Sequence, residues 1–339
     1  MVVRPIIGLL AQTSISPEND VMRSTTSSRP ELLGTVALLG CVVCWASVPV
    51  MLRGLTTSFD PWTVNGFRYP LAAVLYWPVL LAAYRHGLID GAAWKRCLVP
   101  AAFALVAQVL WGLAPYFLAA SSIGFFARLS AVWTVAAAMI FYRDERVLLG
   151  SLGFYLGAIL TFLGFLIMAL SRGQMGGQVT WAGIIIMLFW SFFFGMYGAS
   201  VRHYLRGIHP LIGFAIVSQM VGAGTFSAMW MFGQPQQLLH QTWQTGSLLV
   251  FSSVLGIAMG HFFLFTAVQR LGAALPACVG SVTPFLTVAL AFTFLGESLT
   301  AIQWGAGGTM VLGAIVLLSN QQMVVRSLRN TVIESKKTA

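Results

Sequence analysis

The chain has 339 residues, of which 58% are apolar and only 8% are Asp, Glu, Lys or Arg. A soluble protein carries roughly 25% charged residues, so this composition excludes a soluble enzyme, a disordered chain and a secreted disulfide scaffold. The net charge of +10 does not by itself indicate nucleic-acid binding, because Lys and Arg in a membrane protein first report its topology.

The N-terminal stretch, residues 1–30, is polar and rich in Ser and Thr. Its one apolar patch, Ile6–Ala11, is too weak for a signal peptide. We therefore expect residues 1–30 to form a disordered cytoplasmic tail, within which Met22 could also serve as the first residue.

Ten segments of roughly 20 mostly apolar residues follow, each long enough to cross a bilayer as a helix. The alternation of apolar and polar residues that marks a membrane barrel is missing from them. The sequence therefore predicts an all-α polytopic membrane protein with ten transmembrane helices. The predicted spans are about 31–53, 62–84, 98–119, 122–142, 148–171, 180–201, 210–232, 247–268, 273–295 and 301–320.

The basic residues are distributed unequally between the two sides of these spans. If the N-terminus is cytoplasmic, fifteen of the nineteen Lys and Arg residues lie inside, two lie outside, and Arg68 and Arg128 lie within spans. The positive-inside rule then places both termini in the cytoplasm, including a short, basic and disordered tail over residues 321–339. This distribution explains the high net charge without a nucleic-acid partner.

The chain also contains an internal repeat, with one half at 31–171 and the other at 180–320. The fourth span ends in an Asp-Glu pair and the ninth in a Gly-Glu pair. A glycine stands eight residues after each of these glutamates, and another glycine follows it in the next span. Five spans per half make the halves run in opposite directions, an arrangement frequent in secondary transporters. The matched residues are Glu145, Gly153 and Gly164 in the first half and Glu297, Gly305 and Gly313 in the second.

Several motifs now resemble a known family. Three motifs are similar to those of the drug/metabolite transporter superfamily. They are Phe67-Arg68-Tyr69 in the second span, Ser281-Val282-Thr283-Pro284 in the ninth, and Leu295-Gly296-Glu297-Ser298-Leu299 after the ninth. The resemblance implies the fold of its EamA-type members, ten helices in two inverted halves. The aromatic-rich chain with short loops is most similar to aromatic amino acid exporters of the YddG type. The first half departs from the second, since Thr134 corresponds to Pro284 and Arg128 to Cys278.

Charged and aromatic residues inside the spans are the candidates for a binding site. We expect Arg68 to be a structural arginine and Arg128 to hold a substrate carboxylate, because a charge at this depth must face protein or a wet cavity. Trp and Tyr rings can stack on an aromatic substrate, and ordinary helix packing is the alternative for each of them. Gln108, Ser218, Gln219 and His261 could supply polar contacts. The predicted substrate-binding residues are Trp45, Tyr76, Gln108, Trp111, Arg128, Trp133, Trp190, Tyr197, Gln219 and His261.

Helix hinges are expected at prolines, which remove a backbone hydrogen bond; the candidates are Pro49, Pro115, Pro276 and Pro284, with static kinks as the alternative. The glycine pairs Gly153/Gly157 and Gly256/Gly260 allow close helix contact.

The sequence lacks an ATP-binding Gly-x-x-x-x-Gly-Lys motif, and its four cysteines have no metal-site or redox context. We therefore expect no cofactor, no metal and no enzymatic activity.

The sequence thus predicts an inner-membrane transporter that exports small metabolites, foremost amino acids with aromatic or bulky apolar side chains, by alternating access. Because none of the nine acidic residues lies deep in a span, we expect facilitated diffusion, with proton coupling through His261 as the alternative. We expect a monomer in the lipid bilayer whose partner is its small-molecule substrate. A carrier for another metabolite or drug, and a membrane receptor or scaffold, remain alternative interpretations.

Overall fold

The structure is built from apolar helices. The computed structural model describes residues 28–171, 179–271 and 279–338, and all regular structure within these ranges is helical. Nine helices of this part of the chain are long and apolar enough to cross a membrane, and one more is shorter and apolar. The prediction of an all-α polytopic membrane protein is confirmed; residues 273–278 of the predicted ninth span lie outside the described residues.

The helices are, in chain order, α1 (Ser28–Leu55), α2a (Pro61–Leu75), α2b (Trp77–Arg85), α3 (Gly91–Phe117), α4a (Ala120–Phe126), α4b (Ser130–Phe141), α5 (Leu152–Leu170), α6 (Trp181–Tyr204), α7 (Pro210–Phe232), α8a (Trp243–Ser253), α8b (Gly260–Leu271), α9 (Thr283–Leu295) and α10 (Ala301–Thr338).

Polar side chains fix where several of these helices begin. Asp60 Oδ1 accepts the backbone N–H groups of Trp62 and Thr63 at 2.9 and 3.0 Å, which starts α2a. Asp90 Oδ1 accepts the N–H of Ala93 at 2.7 Å, which starts α3. Such caps satisfy N–H groups that have no partner within a helix, so they sharpen the short turns between antiparallel neighbours.

The packing of the helices shows the internal repeat. If α1 to α5 correspond to α6 to α10, then α1 packs on α8b as α6 packs on α3, and α1 packs on α9 as α6 packs on α4b. Three further contacts, α2a with α7, α4a with α9 and α5 with α10, each join two corresponding helices, and α7 also packs on α3. The two halves are therefore related by an approximate two-fold exchange, as two inverted five-helix repeats require.

The contact between α5 and α10 depends on glycines. A Cβ atom on Gly157 would lie 2.7 Å from the backbone nitrogen of Leu317, and one on Gly313 would lie 2.5 Å from that of Thr161. Gly153 faces the side chain of Asn320 at 2.8 Å in the same way. The predicted close contact at the Gly153/Gly157 pair is confirmed: the two backbones touch where no side chain intervenes.

Three helices are interrupted beside the middle of the bundle. The second breaks at Tyr76, two residues before Pro78, and the fourth passes through a 3-10 turn at Ala127–Leu129. The eighth contains a π-helical segment, Val254–Met259, which includes Gly256. Such segments have weaker local hydrogen bonding than an α-helix and frequently mark functional sites.

The candidate hinge prolines occupy two kinds of position. Pro49 and Pro115 lie inside α1 and α3, where each removes one backbone hydrogen bond. Pro284 instead lies in the first turn of α9, a position that accepts proline without a kink, so any hinge there acts at a helix end. Pro276 lies outside the described residues.

The C-terminal segment corrects one prediction. α10 continues to Thr338, so the expectation of a disordered tail over 321–339 is wrong for residues 321–338. The sequence after Asn320 contains neither Gly nor Pro, which explains why nothing ends the helix there. Most of the predicted N-terminal tail lies outside the described residues, and α1 begins at Ser28.

Candidate functional site

A central cavity lies between the two repeats, about halfway along the helices. In the first repeat its walls come from α1, α2a, α3, α4a, α4b and the turn Ala127–Leu129. In the second they come from α6, the segment Val254–Met259, α8b and α9. The space free of atoms, including the part that opens to solvent, is about 800 Å³. Its lining is mostly apolar and aromatic with a few polar groups, which is the usual character of a site for a small molecule.

Aromatic rings form one side of this cavity. Trp111 of α3 and Trp190 of α6 lie with ring centroids 4.7 Å apart, and Trp190 stacks on Phe194 at 4.8 Å. Trp45 of α1 meets the imidazole of His261 edge-on at 5.6 Å, and Tyr69 completes the lining. Rings arranged in this way present apolar faces that can hold a planar or bulky apolar group.

Arg68 is a fixed cation at the edge of the cavity. Only 1% of its surface is exposed, although it contributes to the lining. Its Nη1 donates to Asn65 Oδ1 at 3.2 Å, and its Nη2 donates to the carbonyl of Ser252 at 3.0 Å. Asn65 in turn donates to the carbonyl of Gln108 at 2.5 Å. The predicted structural role accounts for these contacts, but the residue also faces the site.

Arg128 is held much less firmly. It lies in the 3-10 turn of the fourth helix, and its Nη1 donates to the carbonyl of Gly280 at 2.9 Å, which joins that helix to the start of α9. Among the residues that the structure describes, its buried Nε has no hydrogen-bond partner. A guanidinium has five N–H donors, so most of the capacity of Arg128 remains for a ligand or for water in the cavity.

The other polar lining groups carry no permanent charge. The ring of His261 stacks on Phe214 with centroids 4.0 Å apart, and its Nδ1 lies 2.9 Å from the carbonyl of Ile257. Because a carbonyl only accepts, Nδ1 must carry a proton in this contact. Thr287 donates its hydroxyl to the carbonyl of Thr283 at 3.2 Å, so its oxygen lone pairs remain free to accept.

The structure brings together six of the ten predicted substrate-binding residues and leaves four outside the cavity. The six are Trp45, Gln108, Trp111, Arg128, Trp190 and His261. Tyr76 instead donates to the carbonyl of Ala258 at 2.8 Å, and Gln219 bonds the carbonyl of Ala73 at 2.9 Å. Trp133 packs between Phe162 and Phe192, Tyr197 lies against Phe194, and Ser218 donates to the carbonyl of Ala215.

Some residues that line the cavity were not predicted from the sequence. Tyr69 and Thr283 belong to motifs that were recognised for their family resemblance, yet neither was assigned to the site. Gly256 also lines it: a Cβ there would lie 2.6 Å from Val48 and 3.2 Å from Arg68 Nη2. The predicted close approach at Gly256 is thus confirmed, and it lets α8 pack against the fixed arginine.

The two ends of the bundle are tied by different polar contacts. We call the end with the turns after α1, α3 and α9 the distal end, and the end with the turns after α2b, α4b and α6 the proximal end. At the distal end, Arg53 Nη1 donates to the carbonyl of Pro115 at 2.5 Å. The hydroxyl of Tyr116 donates to the carbonyl of Phe59 at 2.6 Å. These bonds join α1 and the turn after it to α3 above the cavity.

The two repeat-related glutamates lie at opposite ends. At the distal end, Glu297 accepts the backbone N–H groups of Ala120 and Ser121 at 3.0 and 2.9 Å, so it caps α4a. At the proximal end, Glu145 contacts Arg202 and accepts from Gln321 at 2.8 Å. Both carboxylates are buried. Glu297 holds the start of α4a, and Glu145 joins α6 to α10.

The family of the chain can now be stated. The sequence profile of the EamA-like transporter family matches residues 32–170 and again residues 181–319, which are the two five-helix repeats. The chain belongs to the EamA-like transporter family. Its fold is thus that of a polytopic membrane transporter of the drug/metabolite type.

Two further comparisons concern fold and close relatives. A solved structure described as "Crystal structure of protein" is similar to this EamA-like transporter, with a TM-score of 0.53 and 14% identity. The alignment covers 86% of this chain and 98% of that one, and at this identity it supports the fold alone. No curated protein matches the sequence significantly. Within the described residues, no group of three or more His, Cys, Asp or Glu side chains is placed to hold a metal ion.

Proposed function

We propose that this EamA-like transporter moves small metabolites with an aromatic or bulky apolar side chain, aromatic amino acids foremost, by alternating access. The observation that carries the proposal is the aromatic wall of the cavity, to which both repeats contribute: Trp111 from the first repeat and Trp190 and Phe194 from the second. A site between inverted repeats is where such carriers bind their substrates.

The proposed cycle uses features already present around the cavity. The side chain of the substrate lies against the aromatic wall, and its polar end meets the arginines and neutral polar groups. The repeats then rock about the site, with local changes at the 3-10 turn Ala127–Leu129 and the π-helical segment Val254–Met259. Release follows when the distal bonds open. Because the described lining contains no Asp or Glu, we propose a facilitator that follows the substrate gradient.

The proposed location is the inner membrane with both termini in the cytoplasm. Its support is the unequal distribution of Lys and Arg between the connections on the two sides. This orientation places the distal end outside the cell and the proximal end in the cytoplasm. Net export then requires only that the substrate be more concentrated inside.

Counterflow in proteoliposomes tests the proposed function. We expect vesicles that contain the protein and excess unlabelled phenylalanine to accumulate labelled phenylalanine, whereas protein-free vesicles do not. Tyrosine, tryptophan and leucine should suppress the uptake more than threonine or a nucleotide sugar. Folded protein without any counterflow of phenylalanine would refute the aromatic amino acid proposal, while the transporter family would stand.

The aromatic wall provides a matched pair of variants for the same assay. Trp190→Leu removes a ring that lines the cavity, and Trp133→Leu removes a ring that packs outside it against Phe162 and Phe192. We expect Trp190→Leu to weaken suppression by tyrosine roughly tenfold, consistent with about 0.5–1.5 kcal/mol per aromatic pair beyond buried area. Trp133→Leu should leave it within about twofold of the wild type. Equal effects would place the substrate elsewhere.

A further inference from the structure

We infer that the cavity recognises the carboxylate of its substrate through Arg128 and does not require an ammonium group. The inference rests on the proposed function and specifies its substrate class as carboxylates with an aromatic or bulky apolar side chain. Aromatic amino acids then belong to a wider set that includes aryl-alkanoates and 2-oxo acids.

The first support is the balance of charge. Two guanidinium groups, those of Arg68 and Arg128, contribute to the lining, and none of the described lining residues is an Asp or a Glu. Charges interact strongly where protein and membrane exclude water, so the site attracts an anion and repels a cation. A zwitterion binds when its carboxylate lies nearer to the arginines than its ammonium group does.

The second support is the balance of hydrogen bonds. Three buried donors on lining residues have no partner among the residues that the structure describes: Arg68 Nε, Arg128 Nε and Trp190 Nε1. No buried acceptor among the described lining side chains is left in the same condition. Buried polar groups are normally satisfied, so a cluster of unpaired donors indicates a ligand rich in acceptor atoms. A carboxylate accepts about four hydrogen bonds and donates none.

Arg68 and Arg128 contribute differently to carboxylate recognition. Arg68 is bonded to Asn65 and to the carbonyl of Ser252, so its charge stays in place and sets the potential of the site. Within the described part of the chain, the side chain of Arg128 makes a single hydrogen bond, to the carbonyl of Gly280. A carboxylate is a stronger acceptor than a carbonyl and can pair with a guanidinium in a bidentate manner. Substrate is therefore expected to draw Arg128 away from Gly280 and to loosen the tie between the fourth helix and α9.

Thermal stabilisation of the purified full-length protein tests this inference without requiring transport. The probes are 3-phenylpropanoate, which has only the carboxylate, and 2-phenylethylammonium, which has only the amine. We expect 3-phenylpropanoate to raise the Tm in a concentration-dependent way, because a ligand that binds only the folded state stabilises it. The amine should need at least about tenfold higher concentration for the same shift.

Variants of Arg128 connect the effect to the residue. Arg128→Gln should lose the stabilisation by 3-phenylpropanoate, and Arg128→Lys should retain a weaker one, since lysine keeps the charge but loses the bidentate geometry. The matched control is Arg146→Gln, because Arg146 is exposed and lies outside the cavity. If Arg128→Gln does not fold, the same comparison between Arg128→Lys and the wild type decides.

The possible results separate the inference from the proposed function. Equal stabilisation by both probes, stabilisation by the amine alone or by neither probe, or an unchanged response in the Arg128 variants would overturn the inference. Phenylalanine counterflow could still occur in each of those cases, and the proposed function would then survive. Conversely, stabilisation by 3-phenylpropanoate without phenylalanine counterflow would support carboxylate recognition and refute the amino acid substrate.

Discussion

Replacing Gly157 by leucine is expected to destabilise the α5–α10 pair strongly. A Cβ at this position would lie 2.7 Å from the backbone nitrogen of Leu317 and 2.8 Å from the carbonyl oxygen of Gly313. These are backbone atoms, which cannot rotate away as a side chain can. The two helices must therefore separate, and the contact that unites the last helices of the two repeats is lost.

The expected size follows from the cost of overpacking. Extra methylene groups in a well-packed core cost about 1–3 kcal/mol, and here the whole helix contact is displaced, so the loss should reach or exceed the upper figure. At about 2–4 °C per kcal/mol for a domain of comparable size, the Tm should fall by roughly 10 °C. Fluorescence-monitored melting of the detergent-solubilised protein measures the shift.

Gly305 supplies the matched control on the partner helix. A Cβ on Gly305 would meet no atom within 4 Å, so Gly305→Leu adds the same side chain to α10 without a clash. It should melt within about 2 °C of the wild type, since exposed substitutions usually change stability by less than ~0.5 kcal/mol. Similar melting of Gly157→Leu and the wild type would contradict the close backbone contact.

The spans were predictable because the membrane imposes a simple constraint. Every backbone polar group in the bilayer must be satisfied within its own segment, so a run of apolar residues of sufficient length has one structural outcome. The predicted second span, 62–84, and sixth span, 180–201, agree closely with α2a–α2b and α6 for this reason. The breaks at Ala127–Leu129 and Val254–Met259 were not predictable, since ordinary helix-forming residues occupy most of these positions.

The binding site was only partly predictable, for a different reason. Trp133 and Trp190 both lie in spans whose apolar residues surround the helix, so their sequences do not specify which face of the helix meets the cavity. The structure places one ring in the lining and the other among phenylalanines. Arg128 was easier to identify, because a charge inside a span must face a polar environment.

The repeated glutamates show how much a pattern alone conveys. Their matched positions in the two halves indicated an internal repeat, but their roles depend on neighbours that are distant in sequence. Glu297 reaches the start of α4a, 177 residues away, whereas Glu145 meets Arg202 near the end of α6 and Gln321 within α10. The same residue type at corresponding positions thus fixes the distal end in one case and the proximal end in the other.

Replacing Glu297 by alanine is accordingly expected to open the distal end of the bundle. The change leaves the backbone N–H groups of Ala120 and Ser121 without their acceptor and removes the negative charge from the N-terminal end of α4a. Hydrogen bonds to a charged group contribute about 1.5–3 kcal/mol each. Because these bonds exist only while α9 and α4a are joined, their loss should raise the population of distally open molecules at least about tenfold.

Labelling of an introduced cysteine measures this population. Ser130 lines the cavity and is nearly the same size as cysteine, so Ser130→Cys is made in a chain whose four native cysteines are replaced. A membrane-impermeant thiol reagent is added to intact cells, where the proposed topology places the distal end outside. Adding Glu297→Ala should increase the labelling rate about tenfold, and Glu297→Gln should have an intermediate effect, since one amide oxygen still accepts a bond.

Glu145→Ala is the control that distinguishes opening from general destabilisation. It removes the corresponding buried carboxylate at the proximal end, where Glu145 contacts Arg202 and Gln321. Labelling from outside should then remain near the wild-type rate or fall, because weakened proximal contacts favour the opposite opening. An equal rise in both variants would mean that either loss loosens the whole bundle, and an unchanged rate in Glu297→Ala would mean that the capping of α4a does not hold the distal end closed.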